Sequence, residues 1–407
     1  MQTYDILVWG ASGFTGKLVA EYLYRQYGSS GDLKWALAGR NRKKLQAVRT
    51  AIGASSEDLD VLVADAADLE SLRELVQQTR VVCSTVGPYA QYGTGLVQAC
   101  AEAGVDYCDL TGEVHWMRQM IEQHASAASA SGARIVHTCG FDSIPSDMGV
   151  LFVQQTMFER HGVYAKQVKY RAKDFKGGFS GGTVASMLNM MDEAENDPTI
   201  NEIMQHPYAL NPSDDNGGLD GPDRKDAFYD EDFSAWAAPF MMAGINTRVV
   251  RRTQALMDHP YGHEFRYDEA TLMKDGPIGA VSAVALSLAT STMMSANAFG
   301  PARRLIARML PSPGEGPDQA ERENGYFKIA VLAKHPTDAS KNILAHVDGD
   351  KDPGYGSTAK MLAESAICLA KDGLNTQGGF WTPASAMGSA LLRRLNDNAG
   401  VKFTVAT

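Results

Sequence analysis

Short apolar runs recur along the first third of the chain, each ending in a glycine-bearing or polar turn and followed by a stretch with helical spacing. Continuous apolar runs belong to strands buried on both faces, as in a parallel sheet. The pattern predicts strands at Tyr4–Trp9, Leu33–Ala38, Asp60–Asp65, Val81–Val86, Val105–Leu110 and Ala133–Thr138. Helices are predicted between them at roughly Gly16–Tyr27, through Thr50, and at Leu69–Thr79, Gly93–Ala103 and Val114–Ser131, with Asp68 as a cap. Six such alternating units make a doubly wound α/β domain over residues 1–149.

Beyond Gly149 the rhythm changes. Lys166–Phe175 alternates like a half-exposed strand, Gly177–Gly182 reads as a loop and Thr183–Glu195 as an amphipathic helix. Further strands are expected at His263–Met273, Gly325–Lys334 and Ile343–Gly349, in a mainly antiparallel sheet. Asn211–Asp232 is rich in Pro, Gly and Asp and reads as a long surface loop whose charge belongs to solvent. Asp352-Pro353-Gly354-Tyr355 forms a turn before a helix over Ser357–Ala370.

The first predicted strand runs into Gly10-Ala11-Ser12-Gly13-Phe14-Thr15-Gly16. This glycine spacing allows a tight turn, close approach of backbone to a pyrophosphate, and close packing of helix on strand. The helix that follows points free N–H groups and its positive dipole end at the phosphates. Gly10, Ser12, Gly13, Phe14, Thr15 and Gly16 are therefore candidate dinucleotide contacts. Where an NAD-specific site usually carries an acidic residue for the ribose hydroxyls, the second strand ends in Arg40. A guanidinium with Arg42 or Lys43 beside it matches a 2′-phosphate in charge and fork geometry, which favours NADP. The plain alternative is a solvated basic helix start. Asp65, ending the third strand, is placed to touch the adenine amino group, and Val86, Gly87, Pro88 and Tyr89, ending the fourth, face the ribose and nicotinamide.

A chain of 407 residues, 44% hydrophobic, has material for two domains. Its net charge of −10, from 38 basic and 48 acidic residues, argues against a nucleic-acid partner. The five cysteines form no C-x-x-C pair, so neither a disulfide framework nor a zinc or other metal site is suggested. With a strand at the N-terminus instead of a cleavable leader, the expected compartment is the cytoplasm. Gly276–Ala302 contains no charged residue and is followed by Arg303, Arg304 and Arg308. Its length is enough to cross a bilayer, but its Ser, Thr and Asn content, with Pro277 and Pro301, speaks against a span. An element over 276–310 that touches lipid peripherally or binds an acyl chain, and a buried core or dimer helix, remain as alternatives.

The segments GASGFTGKLVAEYL, WALAGRNRKKL, STVGPYAQYG, DYCDLTGE, ARIVHTCGFDSIPSD, FKGGFSGGTVASML, NTRVVRR, DGDKDPGY and TPASAMGSALL together resemble the saccharopine dehydrogenase-like oxidoreductases. The resemblance is strongest to the trans-acting enoyl reductases of complex-lipid polyketide synthesis and spans nearly the whole chain. It implies an NADP-binding Rossmann domain over 1–149 and a mixed α/β domain over 150–354 for substrate and dimer contacts. A C-terminal helical part, from about 355 to 407, would return to the first domain. The implied reaction reduces, in trans, the double bond of an enoyl thioester left by a synthase without its own reductase; a carrier protein that holds the acyl chain and a second copy of this chain are the candidate partners.

That chemistry needs hydrogen-bond donors for the thioester oxygen and an acid for the α-carbon. Tyr89 is the first candidate for oxygen stabilisation or proton delivery, or else packs on the cofactor; Glu113 binds the carboxamide, orients Tyr89, or caps the helix at Val114. Asp142 and Ser143 follow the sixth strand in a turn that offers an anion site, while Ser146 and Asp147 read equally as caps. His137 reads as a satisfied core histidine, and His115 and Cys139 have no partner visible in the sequence. An apolar channel lined by the uncharged segment and by Met187, Met190, Met191, Met241 and Met242 would suit an acyl chain. Two other functions compete. A saccharopine-type amino-acid dehydrogenase would need convergent cations, for which Arg248, Arg251 and Arg252 are the evident cluster, and a non-catalytic NADP-binding, lipid-associated protein would need no hydride acceptor.

Overall fold

The computed structural model describes residues 2–29, 31–177, 181–297 and 316–406, and the side chains of all but 181–185, 187, 191 and 293–297 of these. The chain begins β1 (Tyr4–Trp9), α1 (Phe14–Tyr27), β2 (Trp35–Gly39), α2 (Arg42–Ala51), β3 (Asp60–Val63), α3 (Leu69–Val76) and β4 (Thr79–Ser84). It continues α4 (Tyr89–Tyr92), α5 (Thr94–Ala103), β5 (Asp106–Cys108), α6 (Val114–Ser131), β6 (Arg134–Val136) and α7 (Ile144–His161). Then come β7 (Gln167–Lys176), α8 (Gly181–Asn196), α9 (Pro198–Gln205), β8 (Phe228–Asp230), β9 (Ala235–Pro239), α10 (Ala243–Leu256), β10 (Arg266–Leu272) and α11 (Gly276–Asn297). The last described elements are α12 (Gln319–Glu323), β11 (Tyr326–Lys334), β12 (Ile343–Gly349), α13 (Thr358–Lys371), β13 (Gly379–Trp381), α14 (Pro383–Asp397) and β14 (Val401–Val405).

Among the described residues two seven-stranded sheets result. The first, in the order β13-β6-β5-β4-β1-β2-β3, is parallel throughout. Side chains of β1 alternate between two cores: Ile6 and Val8 pack with α1 and α13, while Leu7 and Trp9 pack on the opposite face with α3, α5 and α6. Burial on both faces is what makes the run continuously apolar. On the first of those faces α13 is almost wholly buried, with Met361, Leu362 and Ile367 against the sheet. Its buried Glu364 accepts hydrogen bonds from the Tyr22 and Tyr27 hydroxyls of α1 and pairs with Arg394 of α14.

The second sheet runs β14-β12-β11-β7-β10-β9-β8 and is antiparallel except for the parallel β7–β10 pair. Helix α7 links the two sheets, leaving the end of β6 and burying Met148, Val150 and Leu151. The C-terminal part is divided, since α13 and β13 join the first sheet but β14 pairs with β12 in the second.

Two expectations are corrected. The stretch Asn211–Asp232 is not a solvated loop: Asn211 and Asp230 are buried, and β8 lies within it. Its carboxylates hold arginines of α10, with Asp223 on Arg248 and Asp220 on Arg251. The uncharged segment is neither a span nor a buried helix where it is described. Helix α11 rests on β9 through a face that includes buried Ala283 and Ser287, and leaves Ile278, Val281, Val284 and Leu288 exposed at 75%, 70%, 47% and 63%. Among the described residues no helix is long and apolar enough to cross a membrane. Residues 298–310, with Pro301, Arg303, Arg304 and Arg308, lie outside the described residues, as do the side chains of Met187 and Met191. Of the proposed methionine lining, Met241 is 53% exposed and Met190 and Met242 are partly buried.

Candidate active site

The strand order of the first sheet reverses between β1 and β4, so a crevice opens at their carboxyl ends. Gly10, at φ +82°, turns the chain out of β1, and a Cβ there would stand 2.5 Å from Val86 Cγ2. That combination of backbone angle and contact excludes other residues. A Cβ on Gly16 would lie 2.2 Å from the Gly10 carbonyl oxygen, which fixes how closely α1 packs on the turn. Gly13 is the N-cap of α1 and supplies no side-chain cap, and the first turn holds no acidic residue. The N–H groups of that turn are thus free to meet an anion, with Ser12, Phe14 and Thr15 partly exposed around them. A pyrophosphate fits this cradle. Val86, Gly87 and Pro88 follow β4 directly beside it.

At the adenosine end Arg40 is exposed where β2 stops. Arg42 is exposed beside it and donates from Nη1 to the Val61 carbonyl at 3.3 Å, and Asn41 caps α2 by accepting from the Lys44 N–H at 3.1 Å. Asp65 is exposed after β3, and its Oδ1 accepts from the Ala67 N–H at 3.1 Å.

At the other end the side chains differ from their expected roles. Tyr89 is only 3% exposed, and its hydroxyl donates to the Ser84 carbonyl at 3.2 Å and receives the Leu110 N–H at 3.5 Å. Burial holds this phenol well above its ordinary pKa, and both functions of its hydroxyl are engaged within the fold. Glu113 does not cap α6. Its carboxylate accepts the N–H of Tyr89 at 2.9 Å and of Ala90 at 2.8 Å, so it caps α4 from a distant strand end. Burial raises its pKa, and those two N–H groups partly offset the rise.

Asp142 is the unpaired exception among the described residues. It is half-buried at the end of β6 and has no hydrogen bond or ion pair among the described residues, so burial alone pushes its carboxyl up to about 6. Its Oδ2 lies 3.8 Å from where a Cβ on Gly112 would stand, which brings the ends of β5 and β6 together. The next residue, Ser143, is fully buried and donates to Asn246 Oδ1 at 3.1 Å. Asn246 of α10 in turn donates to Glu269 Oε2 at 2.9 Å, and the Tyr267 hydroxyl donates to Glu269 Oε1 at 2.6 Å. Burial raises Glu269 to about 7. This chain of polar groups from the second sheet fixes the turn that carries Asp142. Asn246 and Glu269 carried no local sequence signal, because only the packing of α10 against α7 and β10 brings them to Ser143.

Neighbouring groups are structural. His137 Nδ1 lies 2.7 Å from buried Asp109 Oδ2, whose other oxygen accepts the Thr111 and Thr138 N–H groups, each at 3.1 Å. Nε2 of His137 has no partner among the described residues, so within them this histidine is only half satisfied. His115 does have one, Glu193 Oε2 at 2.8 Å. Asp147 caps α14 through the Ala384 N–H at 2.7 Å and receives the Thr253 hydroxyl; burial raises it to about 7. Arg248, Arg251 and Arg252 are buried and spent internally, the last on the carbonyls of Leu210 and Phe380. Among the described residues no cluster of His, Cys, Asp or Glu could hold a metal.

Residues 6–136 match the family model of the saccharopine dehydrogenase NADP binding domain. A Mycobacterium tuberculosis (strain H37Rv) protein that bears the name trans-acting enoyl reductase provisionally is 41% identical over 410 residues, covering 96% of this chain and 95% of the relative. The trans-acting enoyl reductase of Mycobacterium leprae is 36% identical over 410 residues, covering 98% and 96%. Among solved structures, apo saccharopine dehydrogenase (L-Glu forming) from Saccharomyces cerevisiae superposes with a TM-score of 0.52 at 12% identity, covering 99% of this chain and 100% of that one. At that identity the likeness concerns the fold alone.

Proposed function

This chain belongs to the saccharopine dehydrogenase-like family of NADP-dependent oxidoreductases, and on that premise we propose that it reduces the α,β double bond of an enoyl thioester. NADPH, when bound, would supply the hydride for the β-carbon. The chain's own work is then to hold the dinucleotide, keep the crevice shaped, and deliver one proton to the α-carbon. The glycine turn and the N–H groups of Phe14 and Thr15 hold the pyrophosphate, and Arg40 meets the 2′-phosphate. Val86, Gly87 and Pro88 form the floor beside the nicotinamide.

The observation that carries the reading is the placement of Asp142, a carboxyl without a partner among the described residues, beside Gly112 and held in place by Ser143, Asn246 and Glu269. Such a group keeps its proton at Oδ2 to higher pH than an ordinary aspartate and is the donor to the α-carbon. Tyr89 and Glu113 are positioning residues that shape α4 beneath the crevice. The amino-acid alternative is disfavoured by the arginines of α10, none of which is free to receive a substrate carboxylate. NADPH oxidation with a panel of enoyl thioesters, beside saccharopine and simple imines, tests the assignment. Turnover of an amino acid or imine without turnover of any enoyl thioester would overturn it.

We further propose that the acyl chain arrives on a carrier protein and that the exposed face of α11 touches lipid peripherally. Its four apolar side chains project from one side of a helix without a charged residue. Co-sedimentation with anionic vesicles should fall when Ile278 and Leu288 are both changed to Ser. Unchanged sedimentation would overturn lipid contact, and a loss of dimer mass in light scattering would assign the face to a second copy.

A further inference from the structure

Phe14 opens α1, so its backbone belongs to the phosphate cradle while its ring packs against the second half of the chain. Three residues from the second half of the chain meet that ring. Tyr355 packs edge-on with centroids 5.2 Å apart, a Cβ on Gly316 would stand 2.5 Å from Phe14 Cζ, and the Arg322 guanidinium lies 5.6 Å from the ring centroid. Arg322 sits in α12, the short helix leading into β11 of the second sheet.

The hydrogen bonding of Arg322 is incomplete. Nη1 donates to the Pro317 carbonyl, and the residue's own carbonyl accepts the Asp352 N–H at 3.1 Å. Arg322 forms no ion pair within 4.0 Å among the described residues. Asp352, whose carboxyl feels the Arg322 charge, is fully buried, and its oxygens are committed to the N–H groups of Tyr355 at 3.1 Å and Gly356 at 2.6 Å. A guanidinium has five N–H donors, and contact with an aromatic ring leaves its edge open to oxygen acceptors. A half-buried cation with unused donors therefore stands at the N-terminus of a helix that has neither a side-chain cap nor an acidic first turn.

We propose that Arg322 is a ligand of the dinucleotide pyrophosphate, supplied from the side of the second sheet. The pyrophosphate then lies between the N–H groups of α1 and the guanidinium edge, and cofactor binding fastens α12 to the glycine turn. The inference rests on the cofactor and not on the substrate, so failure of enoyl reduction leaves it standing.

The test is equilibrium binding to the full chain, by calorimetry, of NADPH, 2′-phospho-ADP-ribose and adenosine 2′-monophosphate. Arg322→Gln should weaken the two pyrophosphate ligands roughly tenfold to a hundredfold, the scale of a charge-assisted hydrogen bond. Binding of the monophosphate should change by less than about twofold, and Arg322→Lys should recover part of the loss. Unchanged NADPH affinity, or an equal loss for all three ligands, would overturn the proposal. A measurement on the unsubstituted protein covers the case in which Arg322→Gln does not fold: modification of Arg322 by phenylglyoxal, read by mass spectrometry. Protection by 2′-phospho-ADP-ribose but not by adenosine 2′-monophosphate is expected, and its absence refutes the contact.

Discussion

Replacing Asp142 by Asn removes a crevice carboxylate that has no partner among the described residues, and should raise stability as it abolishes turnover. The ordinary aspartate value of 3.8 rises to about 6 on folding because burial disfavours the charged form. The folded state therefore binds this proton more tightly than the unfolded chain. Below pH 3.8 the group is protonated in both states and contributes nothing. Between that value and about 6 the unfolded chain ionises first, and stability falls as pH rises. Above about 6 the full penalty of the buried carboxylate remains, of order 3 kcal/mol for a shift of about two units. Partial exposure of the residue puts the effective figure at about 1–3 kcal/mol. Urea denaturation should show the Asn variant more stable than the parent by about that amount at pH 8, with the gap reduced to about 1 kcal/mol or less near pH 4.5. In the same samples, NADPH oxidation at saturating enoyl thioester should fall by about 10²–10⁴-fold. It should also lose the limb near pH 6, above which the parent's rate declines. Equal stability at pH 8 would show the carboxylate to be solvated, and retained turnover with the same limb would remove Asp142 from the reaction.

Arg40→Asp should weaken NADPH by roughly tenfold or more relative to NADH in a binding titration, since only NADPH presents a 2′-phosphate; equal loss for both would exclude Arg40 as the phosphate ligand. Tyr89→Phe should keep most of the turnover and lose about 1 kcal/mol of stability with the hydrogen bond to Ser84, whereas Glu113→Ala, which leaves two N–H groups of α4 uncapped, should cost about 2–4 kcal/mol in thermal unfolding. A turnover-dead, fully stable Tyr89→Phe would return the hydroxyl to catalysis. Arg251→Ala breaks a buried pair with Asp220 and should destabilise by about 3–5 kcal/mol without altering the affinity for NADPH; a melting temperature unchanged from the parent would mean that the 206–223 segment is not anchored as described.

The parallel sheet was legible because its signal is local. A strand buried on both faces must be apolar throughout, so Tyr4–Trp9 was predicted with the bounds found, and the helical spacing of Val114–Ser131 did the same for α6. The short strand β9 and the edge strand β13 were not read, since three to five residues with small or aromatic side chains do not outweigh their flanks. The glycine turn and Arg40 were legible for the same local reason. The polar chain behind Asp142 was not, because Ser143 lies 103 residues before Asn246 and Asn246 another 23 before Glu269, and the three meet only after both sheets have formed. Asn211–Asp232 misled because acidic residues on a loop usually face water, and nothing local distinguishes those recruited by a buried helix of arginines.

The placement of α13 and β13 in the first sheet bears on how the chain is made. While residues 1–149 are emerging from the ribosome, the face of β1 carrying Ile6 and Val8 has α1 but lacks α13, and β6 has no outer neighbour. Both arrive more than two hundred residues later, after the whole second sheet except β14 has been synthesised. The nucleotide-binding half is thus begun first and finished nearly last, with an apolar sheet face waiting uncovered during translation. Fragments cut before residue 358 retain every glycine of the turn and should aggregate, so expression screens of truncated chains would read the C-terminal helix as a folding requirement of the N-terminal sheet.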